Sequence, residues 1–274
     1  MLAMTGSYCV LDGIAIPVEN VAKQLLFKSK SIYEVIRLIN AVPLFFEEHI
    51  QRMQRSCEIL GTLFPFSTFL IQDQIQLLIH RSRQKQGNIK LVYGQLKKGE
   101  TTSLLLTFIP HFYPSDDMYR NGVRTTLFRT ERVIPNVKLS KEKPKALNRL
   151  IDVEGGYFEV LMVNSRGVIT EGSRSNLFFI KGDTLHTSPE SDVLPGITRN
   201  KVIKILKNNH FKLKQTRIHK NSLTDFDALF LTGTSPGVLP VNSVDEARFD
   251  VDHPILRTVM TQYQEIVERY LKNA

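Results

Sequence analysis

The spacing of apolar residues in the first part of the chain predicts alternating strands and helices. "SIYEVIRLIN" places Ile32, Glu34 and Ile36 on one side and Tyr33 and Val35 on the other, and this alternation of β-forming residues predicts a strand. "EEHIQRMQRSCEILG" has apolar residues at intervals of three, four and three, which predicts an amphipathic helix ended by a glycine. "FSTFLIQDQIQLLIHRSRQKQG" predicts a second such helix. "NIKLVYGQLKKGETTSLLLTFIP" predicts a hairpin that turns at residues 98–100.

Strands dominate the second part. "FEVLMVNSRGVITEGSRSNLFFIKGDTLHT" predicts a meander, and "DALFLTGTSPGVLPVNSV" predicts two strands joined by a loop of glycine and proline. "TRNKVIKILKNNH" and "HPILRTVMTQYQEIVERYLKN" predict helices. The polar, aperiodic "HFYPSDDMYRNG" is the best candidate for a domain boundary. We therefore predict an α+β protein of two domains: a small N-terminal α/β sandwich (residues 1–112), a linker (113–119) and a larger, strand-rich domain (120–274).

Composition narrows the class of protein. The 274 residues are 42% apolar and 23% charged, which is typical of a soluble protein. No apolar run is long enough to span a bilayer, and the first residues lack the pattern of a signal peptide, so no membrane partner is expected. Cys9 and Cys57 lie far apart and without metal-ligand spacing. We expect them to be free thiols in a reducing cytoplasm.

The net charge of +9 raises the possibility of nucleic-acid binding. The lysines and arginines are spread along the chain, however, and no helix-turn-helix, zinc-finger or RNA-binding signature is present. A basic surface that attracts anionic small molecules explains the charge equally well, so nucleic acid is not an expected partner.

Three loops in the second half combine a glycine with hydroxyl or charged side chains. "VLPGITRNKV" puts Thr198 where a helix begins, and free backbone N–H groups there can bind an anion. "LTGTSPG" puts Thr234 and Ser235 at a strand end, where they can hold phosphate oxygens. "VITEGSRSNLFFI" puts Glu171 between two strands, where its carboxylate could face a bound cation. Each loop alone is more typical of a cap, a turn or a surface hairpin.

Taken together, the motifs are far more specific. "ITEGSRSNLFFIKGDTLHTSPESDVLPGITRNKVI" closely resembles the signature of the fold-type IV family of pyridoxal-phosphate enzymes. This family includes branched-chain aminotransferases, D-amino-acid aminotransferases and aminodeoxychorismate lyases. "FEEHIQRMQRSCEILG", "SIYEVIR" and "TGTSPGVLPV" resemble three further family segments, in the family's order. The resemblance covers most of the chain, and it implies that the cofactor lies between the two domains.

The resemblance also implies roles for individual residues. Pyridoxal 5'-phosphate needs a lysine to form the internal aldimine, a carboxylate beside the pyridine nitrogen and a phosphate cradle. Glu171 matches the residue that pairs with the pyridine nitrogen, and Arg52 matches the phosphate-binding arginine, whose planar fork suits a phosphate. The other cofactor residues by this match are Ser175, Asn176, Ile197, Thr198 and Thr234, and the candidate substrate residues are Tyr33, Val35 and Ser235.

Two lysines compete for the catalytic position. "KALNRL", which begins at Lys145, looks like the "KxLNRL" segment of several lyases in the family. The family's spacing, counted back from "FEVLMVN" and Glu171, instead gives Lys138, and Lys145 would require a deletion. "RVIPNVK" also puts Lys138 at the end of an apolar, strand-like run, with "SKEKPKALNRLIDVEGG" as the helix that follows. Lys138 is therefore the predicted catalytic lysine, and Lys145 is the alternative.

The resemblance implies an amino-acid aminotransferase in which freed Lys138 takes the α-proton of the substrate, with aminodeoxychorismate lyase as the alternative. A protein that binds the cofactor without turnover is a third possibility. The chain departs from the family in having "KEK" where branched-chain enzymes have a tyrosine after the lysine, and its hairpin lacks the family's arginine, histidine and "RP" segments. The substrate therefore stays open. Family members usually form homodimers, and we expect one here.

Overall fold

The computed structural model describes residues 4–21, 31–95, 102–140, 149–151 and 156–274. The chain divides into two compact units. Unit 1 comprises Met1–Phe112, Val137–Lys141 and Tyr270–Ala274, and unit 2 comprises Tyr113–Asn136 and Glu142–Arg269. Within the described ranges, no helix is long and apolar enough to cross a membrane.

Unit 1 is built on one antiparallel sheet of six strands in the order β2-β1-β6-β5-β3-β4. Helices α2 and α3 pack against one face of it, and their apolar residues share a core with those of the sheet. The strands are β1 (Tyr8–Leu11), β2 (Ile14–Pro17), β3 (Ile32–Ile39), β4 (Val42–Pro43), β5 (Gly87–Gln95) and β6 (Thr102–Ile109). The helices are α1 (Val18–Val21), α2 (Phe46–Ile59) and α3 (Thr68–Ser82).

The alternation along β3 decides which side chains face the helices. Ile32, Glu34 and Ile36 are all buried on the helix side, whereas Tyr33 and Val35 lie on the other face because successive side chains of a strand point in opposite directions. The sequence prediction for this strand and for α2 and α3 is thus confirmed. A glutamate on the buried face is stable only if cations or hydrogen-bond donors contact its carboxylate, and these contacts form the site described below.

Unit 2 contains a ten-stranded mixed sheet, ordered β12-β11-β10-β14-β15-β7-β8-β9-β13, with β16 paired to β15. Its strands are β7 (Val123–Arg129), β8 (Glu159–Val163), β9 (Val168–Gly172), β10 (Asn176–Lys181), β11 (Thr184–Thr187), β12 (Lys212–Gln215), β13 (Ile218–His219), β14 (Ala228–Gly233), β15 (Gly237–Val244) and β16 (Ala247–Arg248). The α-helices of the second half that lie wholly within the described residues are α4 (Asp116–Asn121), α5 (Ile197–Asn208) and α6 (Pro254–Lys272).

The predicted meander is wrong at its centre. β8 pairs with β9 and β10 pairs with β11, but β9 pairs next with β13, and β10 pairs next with β14. The four strands therefore form two hairpins rather than one continuous run. The reason is that strand β14, in which every residue except Gly233 is buried, takes the edge of β10 that a meander would give to β9. The predicted helices α5 and α6 are confirmed.

The segment before Lys138 also differs from the prediction. β7 ends at Arg129, and residues 133–137 form bends and a turn rather than a strand-like run. Pro135 lies in this turn, and Asn136 fixes it by donating to the carbonyl oxygens of Glu190 and Val193 at 2.7 and 2.9 Å. The predicted turn at residues 98–100 and most of the predicted helix after Lys138 lie outside the described residues.

We expect the helix face of the unit 1 sheet to carry much of the stability of unit 1. Leu91 is fully buried there, so Leu91→Ala should lower the free energy of unfolding by about 3 kcal/mol through lost burial and a residual cavity. Leu63, which is 80% exposed, provides the matched control, and Leu63→Ala should change stability little. Urea titrations followed by far-UV circular dichroism measure both effects, and equal losses would contradict the assignment of the core.

Candidate active site

The carboxylate of Glu34 is the centre of a buried polar cluster in unit 1. Its Oε1 accepts a hydrogen bond from Arg52 Nε at 2.7 Å, and its Oε2 accepts one from Arg52 Nη2 at 2.7 Å. His49 Nδ1 lies 3.0 Å from Oε2, and Lys138 Nζ lies 3.4 Å from the same oxygen. Glu34 has no exposed side-chain surface. One fully buried carboxylate is therefore shared by an arginine, a histidine and a lysine.

Local structure brings these groups together. Glu34 points to the helices because it alternates with Ile32 and Ile36 on β3. His49, Arg52 and Ser56 are spaced by three and four residues on α2, so they share one face of that helix, and all three are buried. This face of α2 therefore brings Arg52 and His49 together at the carboxylate of Glu34.

Backbone hydrogen bonds attach the segment around Lys138, the predicted catalytic lysine, to the edge of β3. The carbonyl oxygen of Lys138 accepts a hydrogen bond from the backbone N–H of Tyr33 at 2.9 Å, and Ser140 N–H donates to the carbonyl of Ser31 at 2.7 Å. An isolated bridge between Ile32 and Leu139 lies between them. The Lys138 side chain is 12% exposed. Backbone pairing thus holds a nearly buried amine at a fixed position beside Glu34.

Burial and charge act in opposite directions on Glu34. Burial alone would raise its pKa, but the positive charges of Arg52 and Lys138 and the hydrogen bonds from Arg52 and His49 hold the pKa of Glu34 well below its usual range. Burial lowers the pKa of His49 from 6.5 to about 4, so the imidazole is neutral at pH 7. The cluster therefore contains one carboxylate between two cations, with a neutral histidine as a further hydrogen-bond partner.

The position of Arg52 limits how it could meet a phosphate. Two of its N–H groups already bind Glu34 as a fork. The same pair of donors cannot also grip a phosphate in the bidentate manner that the sequence suggested. Arg52 would contribute its charge, or another part of the guanidinium, and its role as a phosphate ligand stays a prediction.

The ring of Tyr33, on the other face of β3, lies close to two amines. Lys138 Nζ is 5.3 Å from the centroid of the Tyr33 ring, and Lys90 Nζ is 4.6 Å from the same centroid. Val35, the other predicted substrate residue of this strand, is paired across the sheet with Lys90. Both predicted substrate residues therefore share a face with a second lysine.

Glu171 is the buried carboxylate of unit 2. Arg132 Nε donates to its Oε1 at 2.5 Å, while Asn176 Nδ2 and the backbone N–H of Leu194 donate to its Oε2 at 3.3 and 3.2 Å. Burial raises the pKa of Glu171, and the charge and hydrogen bond of Arg132 offset this only in part. Glu171 thus differs from Glu34, whose pKa is lowered.

Asn176 joins Glu171 to the start of α5. Its Nδ2 also donates to the carbonyl oxygen of Leu194 at 2.9 Å, and a Cβ on Gly196 would collide with its Oδ1. On the adjacent strand, Thr232 is its register partner. The side-chain amide of Asn176 therefore connects the carboxylate of Glu171 to the residues just before α5, and it requires glycine at position 196.

The first turn of α5 has the properties of an anion site. Gly196 is its N-cap residue and supplies no side-chain hydrogen bond to the helix N–H groups. Ile197 and Thr198, which the sequence predicts as phosphate ligands, follow it and are buried, with Thr198 Oγ1 3.4 Å from the Tyr263 hydroxyl. β14 ends at Gly233, after which Thr234 and Ser235 are half-buried. The donors in this part of unit 2 suit a phosphate.

Ser175 makes a contact that the sequence did not predict. Its hydroxyl donates to Glu159 Oε2 at 3.0 Å, and the backbone N–H of Arg174 and the hydroxyl of Ser173 both donate to Glu159 Oε1. Glu159 therefore fixes the turn between β9 and β10. A direct role of Ser175 in cofactor binding stays a prediction.

Sequence reasoning missed three of the residues that shape these clusters: Glu34, Lys90 and Arg132. A charged residue among buried apolar positions was the available signal for Glu34. Lys90 is a single lysine in a β-strand pattern, and Arg132 lies in an aperiodic segment, so neither had a signal that separates it from a surface residue. The residues that contact Glu34, Lys90 and Arg132 come from distant parts of the sequence, so these contacts cannot be seen in a local pattern.

Comparisons with known proteins agree with the fold and with the motifs. The model of the family "Amino-transferase class IV" matches residues 31–244. A Rickettsia bellii protein assigned provisionally as a branched-chain-amino-acid aminotransferase is 27% identical, covering 95% of this chain and 96% of that protein. The D-alanine aminotransferase of Bacillus licheniformis is 26% identical, covering 86% of this chain and 87% of that enzyme.

Two solved structures are similar along most of their length. The branched-chain amino acid aminotransferase of Escherichia coli superposes with a TM-score of 0.81 at 22% identity, covering 96% of this chain and 95% of that one. A Legionella pneumophila protein assigned provisionally as 4-amino-4-deoxychorismate lyase superposes with a TM-score of 0.75 at 25% identity, covering 86% and 91% of the two chains. The first likeness concerns the fold alone.

The lowered pKa of His49 predicts a pH-dependent stability. In the unfolded chain His49 takes up a proton near pH 6.5, whereas in the folded chain it does so only near pH 4. The contribution of neutral His49 to the free energy of unfolding is therefore complete above pH 6.5 and is lost as the pH falls towards 4. By pH 5 the free energy of unfolding should have fallen by about 2 kcal/mol for this reason. His49→Gln should reduce the slope of stability against pH between 5 and 7 in urea titrations. His80→Gln, at an exposed position, should leave the slope unchanged, and an unaltered slope in His49→Gln would contradict a buried neutral imidazole.

Proposed function

We propose that this chain, which belongs to the class IV aminotransferase family, transfers amino groups between amino acids and 2-oxo acids with pyridoxal 5'-phosphate as cofactor. The observation that carries the proposal is the nearly buried amine of Lys138, fixed by backbone pairing to β3 and ion-paired with Glu34. The burial and the fixed position of the amine support a role as nucleophile and base.

The donor set of the chain fits this cofactor. The pyridine nitrogen requires a carboxylate, and Glu171 is buried with Arg132, Asn176 and the backbone of Leu194 as its partners. The phosphate requires N–H and hydroxyl donors, and the uncapped start of α5 with Thr198 supplies both kinds. The cofactor, when bound, supplies an electron sink for the carbanion that forms when the substrate loses its α-proton.

In the proposed reaction, residues of unit 1 would accept the α-proton of the substrate and stabilise the resulting charge. Lys138 Nζ would hold the cofactor, and its amine, when free, would accept the α-proton of an amino substrate. Glu34 stabilises the ammonium group that results, because its carboxylate lies 3.4 Å from Lys138 Nζ. Arg52 opposes this effect and keeps Glu34 ionised, so Lys138 faces a permanent negative charge beside a permanent positive one.

The residues of unit 2 would control the ring and the phosphate. Arg132 favours the ionised form of Glu171 against the effect of burial. An ionised Glu171 would hold the pyridine nitrogen of the cofactor in its protonated form. Asn176 orients this carboxylate relative to the first turn of α5. We propose Ser175, Ile197, Thr198, Thr234 and Ser235 as further contacts of cofactor or substrate at this end of unit 2.

Aminodeoxychorismate lyase is the second candidate. Attachment of the cofactor by lysine and removal of the α-proton are the same in a lyase, and only the fate of the carbanion differs. The similarity to the Legionella protein favours keeping this candidate. We further propose a homodimer in the cytoplasm, which is the expectation from the family resemblance and from two free, buried cysteines.

The first test locates the lysine that holds the cofactor. Borohydride reduction of the holoenzyme followed by peptide mass mapping should find the cofactor on the peptide that contains Lys138. Lys138→Ala should abolish the modification, whereas Lys145→Ala should retain it, because Lys145 is the competing position in the sequence. Modification of Lys145 in the wild-type protein would contradict the assignment.

The second test identifies the reaction. Individual L- and D-amino acids are mixed with the holoenzyme, and the absorbance of the cofactor is followed before and after a 2-oxo acid is added. A change with an amino donor that the 2-oxo acid reverses is expected of an aminotransferase. Pyruvate and 4-aminobenzoate from aminodeoxychorismate would instead identify a lyase, and no change with any donor would contradict both.

A further inference from the structure

A buried tyrosine lies on the apolar face of α6. The buried residues of this helix are Leu256, Val259, Tyr263 and Val267, and their spacing of three and four residues places them on one face. Among these four, Tyr263 alone carries a polar atom at the end of its side chain, and the residue is 6% exposed. Burial of a hydroxyl costs free energy unless hydrogen bonds replace its contacts with water. A partner for this hydroxyl is therefore expected inside the protein.

The Tyr263 hydroxyl reaches the first turn of α5. Its oxygen lies 3.4 Å from Thr198 Oγ1, and either group can be the donor. Both residues are buried, so water competes little for this contact. A threonine hydroxyl has one proton and two acceptor positions. A tyrosine that donates to Thr198 therefore leaves the proton of Thr198 for another acceptor.

The ring of Tyr263 lies against the turn between β14 and β15. Gly233 at the end of β14 pairs with Gly237 at the start of β15, and residues 234–236 form the turn between them. A Cβ at position 237 would lie 3.0 Å from Cε1 of the Tyr263 ring, and the φ angle of Gly237 is +61°. Glycine adopts this conformation without strain and leaves room for the ring. Tyr263 thus contacts both of the segments in which the sequence predicts phosphate ligands.

A second tyrosine holds the same turn from α4. The hydroxyl of Tyr119 donates to the carbonyl oxygen of Pro236 at 2.8 Å. The backbone of the turn is therefore fixed at Pro236 by Tyr119 and at Gly237 by the ring of Tyr263. The hydroxyl of Tyr263 extends this second contact to Thr198, so the turn and the start of α5 share one side chain.

We propose that Tyr263 is a positioning residue for the phosphate of the cofactor, a role that rests on the proposed function. Its hydroxyl donates to Thr198 Oγ1 and thereby directs the proton of Thr198 towards a phosphate oxygen. Its ring holds the end of the turn that carries Thr234. Donors from two separate segments are in this way arranged before the phosphate arrives, which reduces the cost of ordering them on binding. Tyr263 acts through these groups and is not itself a ligand.

The test removes one oxygen atom. Tyr263→Phe deletes the hydroxyl and keeps the ring against Gly237. Fluorescence titrations of the apoenzyme measure the affinity for pyridoxal 5'-phosphate and for pyridoxal, which lacks the phosphate. Tyr263→Phe should weaken binding of pyridoxal 5'-phosphate about threefold or more and leave that of pyridoxal unchanged, because the lost hydrogen bond acts only on the phosphate. The phosphorus NMR signal of the bound cofactor should also shift, which a purely structural role in the core would not cause.

Two further variants separate the proposed action from a general effect of the substitution. Tyr270→Phe removes the same atom from the same helix, at a hydroxyl that accepts a hydrogen bond from the backbone N–H of Phe46 at 3.1 Å. This matched control should bind pyridoxal 5'-phosphate as the wild type does. Thr198→Val alone should weaken binding, and Tyr263→Phe added to Thr198→Val should cause no further loss, because the two hydroxyls act as a unit.

The outcomes distinguish failure of this inference from failure of the proposed function. No loss of affinity in Tyr263→Phe, or equal losses for pyridoxal 5'-phosphate and pyridoxal, would overturn the role of Tyr263 while a wild-type holoenzyme that reacts with amino donors remains an aminotransferase. Additive losses in the double variant would overturn the action through Thr198. A holoenzyme that reacts with no donor but loses phosphate-dependent affinity in Tyr263→Phe would keep the positioning role and overturn the reaction. A wild-type protein that does not bind pyridoxal 5'-phosphate would overturn both.

Discussion

The ion pairs of one buried carboxylate, Glu34, are the constraint on which unit 1 depends. A charge with no contact with water is stable only if other groups replace its hydration, and Arg52, His49 and Lys138 do so here. The need for these partners ties α2 to β3 and ties the segment around Lys138 to the edge of the same strand. The catalytic amine that we propose is thus positioned by the same interaction that keeps a charge inside the core.

The two buried glutamates are tuned in opposite directions. Two cations lower the pKa of Glu34, which suits a permanent counter-ion, whereas burial raises the pKa of Glu171 against a single arginine. A carboxylate of raised pKa is a strong hydrogen-bond acceptor, which suits the role that we propose for Glu171, and Asn176 and Leu194 orient it. The chain thus holds a permanently ionised carboxylate, Glu34, in unit 1 and a carboxylate that protonates more readily, Glu171, in unit 2.

Much of this could be predicted from the sequence, because local periodicity and motif spacing carry it. β3, α2 and α5 follow from their apolar patterns. The roles of Lys138, Glu171 and Thr198 come from the family resemblance and stay predictions. The partners of these residues could not be predicted, since they depend on pairing between distant segments. The strand-like pattern before Lys138 was overridden by a turn that Asn136 fixes to residues more than fifty positions away, and the expected meander was divided because β14 takes the edge of β10. Lys90 looks like a solvated lysine in the sequence, and only the pairing of β5 with β3 shows that it lies opposite Val35.

The central claim is that Lys138, held beside Glu34, is the residue that binds the cofactor covalently. A crystal structure of the holoenzyme at high resolution tests it most directly, because it shows which amine is continuous with the cofactor and which carboxylate lies beside it. We predict continuous electron density from Lys138 Nζ to the cofactor, with Glu34 still bound to Arg52 and Glu171 at the pyridine nitrogen. Density that joins the cofactor to Lys145 would contradict the account.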